Sequence, residues 1–306
     1  MSEEPRDEGT ALLRDVLHAR RLLGHHIEAA HLPLVGTPPT DDVDGVALWS
    51  LAHQDRVLSV VRSVISAGEP ELAALLLSQV WPLVPAKVDE TWCRRLRDCG
   101  TGLAGVLPDS VVLSEAFRAS AAVFAERGLY RVAEIEGMRD LAIWRKRDER
   151  DGLVAALTAL VRTYRARDRL HMVMECASEW LHVYLRHKDP VGVAWALGYI
   201  GALMLEGDRA ESAVDYLARA DTAYETLSGT PPRQRAEAMV LWGIALWRTG
   251  ARSRARSQFS RALTLVVDVD EKAAGRVRAL VSTPAAEPVS WSVSEVVHHR
   301  ERDLDQ

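Results

Sequence analysis

AEAMVLWGIALWRTGARSRARSQFSRA, residues Ala236 to Ala262, decides the fold. On both sides of Gly250 the apolar residues recur at three- and four-residue intervals, the spacing of one helix face. The first half puts Trp242, Gly243 and Leu246 on one face, and the second puts Ala255, Phe259 and Ala262 on its own. Gly243, Ala255 and Ala262 let two helices approach closely, while Trp242 and Phe259 fill the space around them. Gly250 can end the first helix without the strain that a β-carbon would bring. The stretch is expected to form two antiparallel helices joined by one turn.

The same pattern returns upstream at Ile200, Gly201, Met204, Asp208, Ala213, Leu217 and Ala220. It returns again at Leu160, Val161, Tyr164, Asp168, Val173 and Ala177, with Val in both small positions, and before that at Ala121, Phe124, Gly128, Ala133 and Gly137. The small residue of the first helix thus falls at Ala121, Val161, Gly201 and Gly243, at intervals of 40, 40 and 42 residues. Val61, Gly68, Ala73 and Leu77 fit the register of a degenerate early unit. A fixed period over four units indicates a repeat architecture. Trp242, Gly243, Gly250, Ala255, Phe259 and Ala262 resemble the tetratricopeptide repeat, whose standard length is about 34 residues. The resemblance implies an all-α, right-handed superhelical solenoid of four or five antiparallel helix pairs. The longer period leads us to expect second helices that run on or extended loops between repeats.

Outward from the repeats, Thr10 to Ala30 reads as one helix with Leu12, Leu13, Val16, Leu17, Leu22, Leu23 and Ile27 on its apolar stripe. Pro33 to Asp44 has the composition of a linker, and helices resume near Val46. Pro82 and Pro85 break the chain, Asp89 to Val106 reads as a helix ending before Pro108, and a last helix over Glu271–Val281 caps the array. The expected organisation is an N-terminal helix and linker (1–45), degenerate repeats (46–109), the main repeats (110–281) and a flexible tail (282–306). The stretch ALWSLAHQDRVLSVVRSVISAGEPELAALLLSQVWPLV, with Trp49, Gly68, Trp81 and Pro82, is similar to the segment joining the nucleotide-binding module to the repeats in bacterial STAND-type regulators. That similarity covers roughly 47–270. No GxxxxGK[ST] phosphate loop occurs in the sequence, so it implies the sensor or scaffold half alone.

Hydrophobic content of 48% with 26% charged residues is that of a globular protein. The net charge of −5 argues against a protein that coats nucleic acid. Cys93, Cys99 and Cys176 form no paired framework, which fits a reducing compartment. The acidic start MSEEPRDEGT is no signal peptide, and no run of 18 apolar residues could span a membrane. These features lead us to expect a cytoplasmic chain.

Chemical signatures are weak. Gly100, Gly102 and Gly105 spell GxGxxG, but a charged helix precedes them and Pro108 follows, so a helix end is expected rather than a dinucleotide site. His25, Glu28 and His31 share one helix face beside His26, and His298 and His299 lie in the tail; solvated surface histidines explain them without zinc. Glu134 and Glu136 are two apart and so on different faces. A non-catalytic protein with no cofactor is expected.

The resemblance further implies that first helices line a ligand groove beside each small residue. Those positions are Arg118 and Ala122, Arg162 and Arg165, Trp195 and Tyr199, then Leu241, Ile244, Trp247 and Arg248. One half carries arginines, which grip carboxylates in pairs of hydrogen bonds. The other half is aromatic and apolar, and Trp and Tyr are common interface anchors. An acidic, aromatic-bearing protein or peptide segment would suit both. The alternative is contact with phosphate or nucleic acid through Arg248, Arg252, Arg254, Arg256 and Arg261, a stretch whose ordinary role is a solvated helix face. Such arrays also pack on a second copy through capping helices, so a homodimer is a further open partner.

Overall fold

The computed structural model describes residues 4–24, 43–85, 87–227 and 232–282, and all regular structure among them is helical. The chain forms two compact units, Met1–Arg167 and Asp168–Gln306. The first contains α1 (Glu4–Leu22), α2 (Val43–Ala52), α3 (Gln54–Ser66), α4 (Pro70–Val80), α5 (Glu90–Leu103), α6 (Val111–Glu126), α7 (Tyr130–Arg147) and α8 (Arg150–Arg165). The second contains α9 (Leu170–Arg186), α10 (Pro190–Glu206), α11 (Ala210–Glu225), α12 (Pro232–Arg248), α13 (Arg252–Val266) and α14 (Glu271–Ser282). The division falls inside the third expected helix pair. Across the Pro108-Asp109 break α4 packs on α6, so residues on its two sides share one body.

In the first unit α1 lies on α3 and α4, and α6 packs along α7, which packs on α8. Leu12, Leu13, Val16 and Leu17 are all buried there, as the apolar stripe predicts, although α1 begins earlier than expected, at Glu4. Trp81 opens a one-turn 3-10 helix through Pro82 and packs at 5.7 Å on Phe124. Ile27, the Pro33–Asp44 linker up to residue 42, and the tail from 283 lie outside the described residues. In the second unit α10 packs along α11, α11 on α12, α12 along α13 and α13 on α14. Ala194, Leu197, Ala220, Tyr224 and Ala238 form a buried cluster where α10, α11 and α12 meet.

One local device ends nearly every helix of the repeats. Left-handed residues stand at Gly128, Asp148, Asp168, Lys188 and Asp208, at 20-residue intervals, and at Gly68 and Gly250. At Gly68, Gly128, Lys188, Asp208 and Gly250 the amide of the left-handed residue and the next amide both turn back into the helix that has ended. Asp208 N donates to Leu205 O at 3.2 Å and Arg209 N to Met204 O at 2.8 Å. Lys188, Asp189, Gly250 and Ala251 repeat those bonds onto Leu185, Tyr184, Trp247 and Leu246. These are Schellman closures, which satisfy the otherwise orphaned last carbonyls. Glycine takes this conformation freely, whereas at an L-residue it costs about 1 kcal/mol. After Lys188 the next helix is started at once by Pro190 and by Asp189, whose carboxylate accepts the Gly192 N–H at 2.9 Å.

The long period has its origin in the helices. Both members of the pairs are 16 to 18 residues long in α6 through α11. The junctions between repeats at 148–149 and 187–189 are short, so the extended loops offered as one explanation are absent there. The connection 226–231 is longer, and it supplies the 42-residue interval between Gly201 and Gly243.

Close approach at the small positions is literal. A β-carbon on Gly243 would sit 2.3 Å from Phe259 Cε1, and one on Gly201 would sit 2.5 Å from Leu217 Cγ. Gly243→Val is therefore expected to lose about 1–3 kcal/mol of stability through overpacking. Gly275→Ala, at an exposed position of α14 where a β-carbon meets nothing within 4 Å, is expected to gain up to about 1 kcal/mol. Urea unfolding of both variants checks the pair, and equal effects would contradict the packing.

Candidate binding surface

In the first unit, α6 and α8 are repeat-equivalent and pack directly on each other. Ala121 and Val161 face the interior, and the next residue of each helix, Ala122 and Arg162, is exposed. Arg165 is half-buried one turn further along α8. Arg118 is spent on an internal bond. Its Nε and Nη2 donate to Asp140 Oδ2 at 2.8 Å and Oδ1 at 3.2 Å, and Asp140 is fully buried on α7.

Asp140 has a companion one turn earlier. Glu136 is 1% exposed and accepts from Ser120 Oγ at 3.1 Å. Arg139 also pairs with Glu136, donates to Thr101 Oγ1 at 2.8 Å and lies 5.7 Å from the Phe117 ring centre. Burial pushes both carboxyls above their ordinary range, while Arg139 and Arg118 respectively pull against it. Sequence reasoning passed over this network, although a signal was present: Asp140 occupies the register position that Ala220 and Ala262 hold in later repeats. Glu134 points elsewhere, to Arg167 at 3.0 Å, as its two-residue offset from Glu136 requires. The network's chemistry is to tie α6 to α7.

In the second unit the expected aromatic positions lie mostly in the interior. Tyr199 and Leu241 are fully buried, Ile244 is buried, and Trp195 is 7% exposed. Trp195 and Tyr199 stack at 5.3 Å, and Trp180 meets them edge-on at 5.2 and 5.4 Å. The physical reason is legible in retrospect. No charged residue occurs from Pro190 to Leu205 or from Ala238 to Trp247, and helices apolar all round are buried helices. Trp247 and Arg248 remain accessible at the end of α12. Arg248 Nη1 donates to Leu205 O at 2.9 Å, and Arg252 lies over the half-buried Trp247 ring at 5.4 Å.

The arginine-rich helix is partly committed inside its own unit as well. Arg261 reaches buried Asp221 at 3.2 Å, where Arg235 also arrives at 3.1 Å. Arg254 and Arg256 are exposed. Gly100 lies within α5 with Gly105 just past its end, the helix end expected of the GxGxxG stretch. Cys93 and Cys176 are buried and Cys99 is half-buried, with burial pushing the Cys93 and Cys99 thiols up. Among the described residues no group of three His, Cys, Asp or Glu is placed to hold a metal. Nor is any described helix long and apolar enough to cross a membrane. His25, His26, Glu28, His31, His298 and His299 lie outside the described residues.

No family model matches the chain, and no curated protein matches it. Among solved structures it is similar to the nearly identical TPR-like repeats of a Podosopora anserina kinesin light chain, at 13% identity and a TM-score of 0.45, covering 71% of this chain and 97% of that one. BtubC (BKLC) from P. vanneervenii is 14% identical with a TM-score of 0.45, covering 78% and 94%. A thermophilic TPR protein of Thermus thermophilus is 15% identical with a TM-score of 0.36, covering 75% and 100%.

The buried glutamate generates a pH prediction. Folded chains hold the Glu136 proton to higher pH than unfolded chains do, so its contribution to stability is full below its ordinary 4.5 and falls as pH rises through the folded value. Glu136→Gln keeps an acceptor for Ser120 and removes the titration. Wild-type stability relative to this variant, from urea unfolding across pH, is expected to decline from pH 4.5 upward. A relative stability that instead rises with pH would mean that Arg139 outweighs burial.

Proposed function

We propose that the chain is a non-catalytic scaffold that holds a segment of another protein. The observation that carries this reading is the pair of adjacent first helices α6 and α8, which present Ala122 and Arg162 at equivalent exposed positions with Arg165 beside them. In the second unit Trp247 and Arg248 offer the accessible remainder of the expected set. Trp195, Tyr199 and Leu241 act as the packing that holds those positions, and Arg118 as the clasp between α6 and α7. A guanidinium face prefers carboxylates, so an acidic segment bearing an aromatic anchor is the proposed ligand. On this reading the chain works in the cytoplasm as a sensor or scaffold region of a regulator. Contact with nucleic acid is not favoured, because Arg261 is engaged on buried Asp221 and Arg252 lies over Trp247.

A pull-down from native extract with wild type and with Arg162→Glu/Trp247→Ala tests the reading. Both side chains are accessible, so the double variant is expected to melt within about 1 kcal/mol of wild type. A protein retained by wild type and lost by the variant supports the scaffold. Equal recovery would remove both positions from the binding surface.

A further inference from the structure

The internal bond of Arg118 uses only one side of its guanidinium. The group carries five N–H donors on three nitrogens. Asp140 takes two of them, from Nε at 2.8 Å and from Nη2 at 3.2 Å. Nη1 and the second hydrogen of Nη2 form the adjacent edge, and among the described residues no hydrogen bond or ion pair reaches Nη1. The Arg118 side chain is 30% exposed while Asp140 is fully buried, so the accessible part lies away from the carboxylate.

The bond also fixes where that second edge stands. Arg118 lies on α6 one turn before Ala122, the exposed position that Arg162 holds in α8. An untethered arginine gives up rotamer freedom when it binds, whereas the two-point grip of a buried carboxylate has already removed it. Arg118 and Asp140 are neutral as a pair, so the edge contributes direction while Arg162 and Arg165 contribute charge. The register of Arg118 recurs at Thr158, Gly198 and Val240 in the later first helices, and the Thr158 hydroxyl returns to Val154 O at 2.7 Å. The directed donor thus belongs to α6 alone among these four helices.

Resting on the scaffold reading, we infer that Arg118 determines specificity on the α6–α8 face: held by Asp140, it offers its second edge to one carboxylate of the acidic segment, at the level of Ala122. The Ala122 side chain is a single methyl, which leaves that carboxylate room to approach.

Fluorescence anisotropy of dye-labelled hexaglutamate, titrated with the full chain at fixed salt, tests the assignment. Arg118→Lys keeps the positive charge but replaces the planar fork by one ammonium, which Asp140 claims. Arg118→Met/Asp140→Leu removes the pair, leaves the net charge unchanged and fills the α6–α7 contact with apolar side chains. Both variants are expected to bind the peptide about five- to tenfold more weakly than wild type, the factor of a charge-assisted hydrogen bond at a half-exposed site. Arg94→Lys, in an exposed ion pair on α5, is expected to leave the affinity unchanged. Thermal melting shows which variants fold, and the double variant carries the test if Arg118→Lys does not. Wild-type affinity in either folded variant would overturn the assignment. If Arg162→Glu loses the peptide and Arg118→Lys retains it, the scaffold stands and Arg118 is a clasp only. Absence of binding by wild type would also overturn the assignment, and the pull-down then decides the scaffold separately.

Discussion

Every helix of the repeats must stop, and reverse, within a few residues. A left-handed residue makes that reversal at Gly68, Gly128, Asp148, Asp168, Lys188, Asp208 and Gly250. At Gly68, Gly128, Lys188, Asp208 and Gly250 two successive amides then cap the finished helix. Without it the last carbonyls would be orphaned, and helices of 16 to 18 residues could not lie back along one another. Glycine meets the requirement freely at 68, 128 and 250, while Asp148, Asp168, Lys188 and Asp208 meet it at a cost. Side-chain packing then returns that cost: Phe259 on Gly243 and Leu217 on Gly201 bring the helix pairs into closer contact than any β-carbon would permit.

Much of this fold was legible in the sequence because it is local and periodic. The small residues at 121, 161, 201 and 243 set the register, and Gly250, Gly128, Asp208 and Asp168 were read as turns from spacing alone. What escaped was the second set of turns. Lys188 is not a turn-forming residue by type and Asp148 lies within a charged run, so the half-period of 20 residues is the clearer sign of them.

The binding surface was less legible, for a physical reason. A repeat pattern says which residue of a helix stands beside the packed one, but not whether another helix covers it. Tyr199 and Leu241 occupy groove positions by register and are interior by burial. The lack of charge along α10 and most of α12 was the better guide. Asp140 and Glu136 show the converse, since charge on a packed face signals an internal bond to Arg118 and Arg139 rather than a solvated surface. By burial alone, Arg162 is exposed and Trp247 half-buried.

The central claim, that left-handed junctions set the fold, is tested most directly at two exposed neighbours. Asp208 has a φ of 55°, whereas Arg209 beside it has a φ of −110°. Urea unfolding of Asp208→Val and Arg209→Val compares the same side chain in the two conformations. The account predicts a loss of about 1–2 kcal/mol for Asp208→Val and a change within about 0.5 kcal/mol for Arg209→Val. Equal losses, or the larger loss at Arg209, would contradict it.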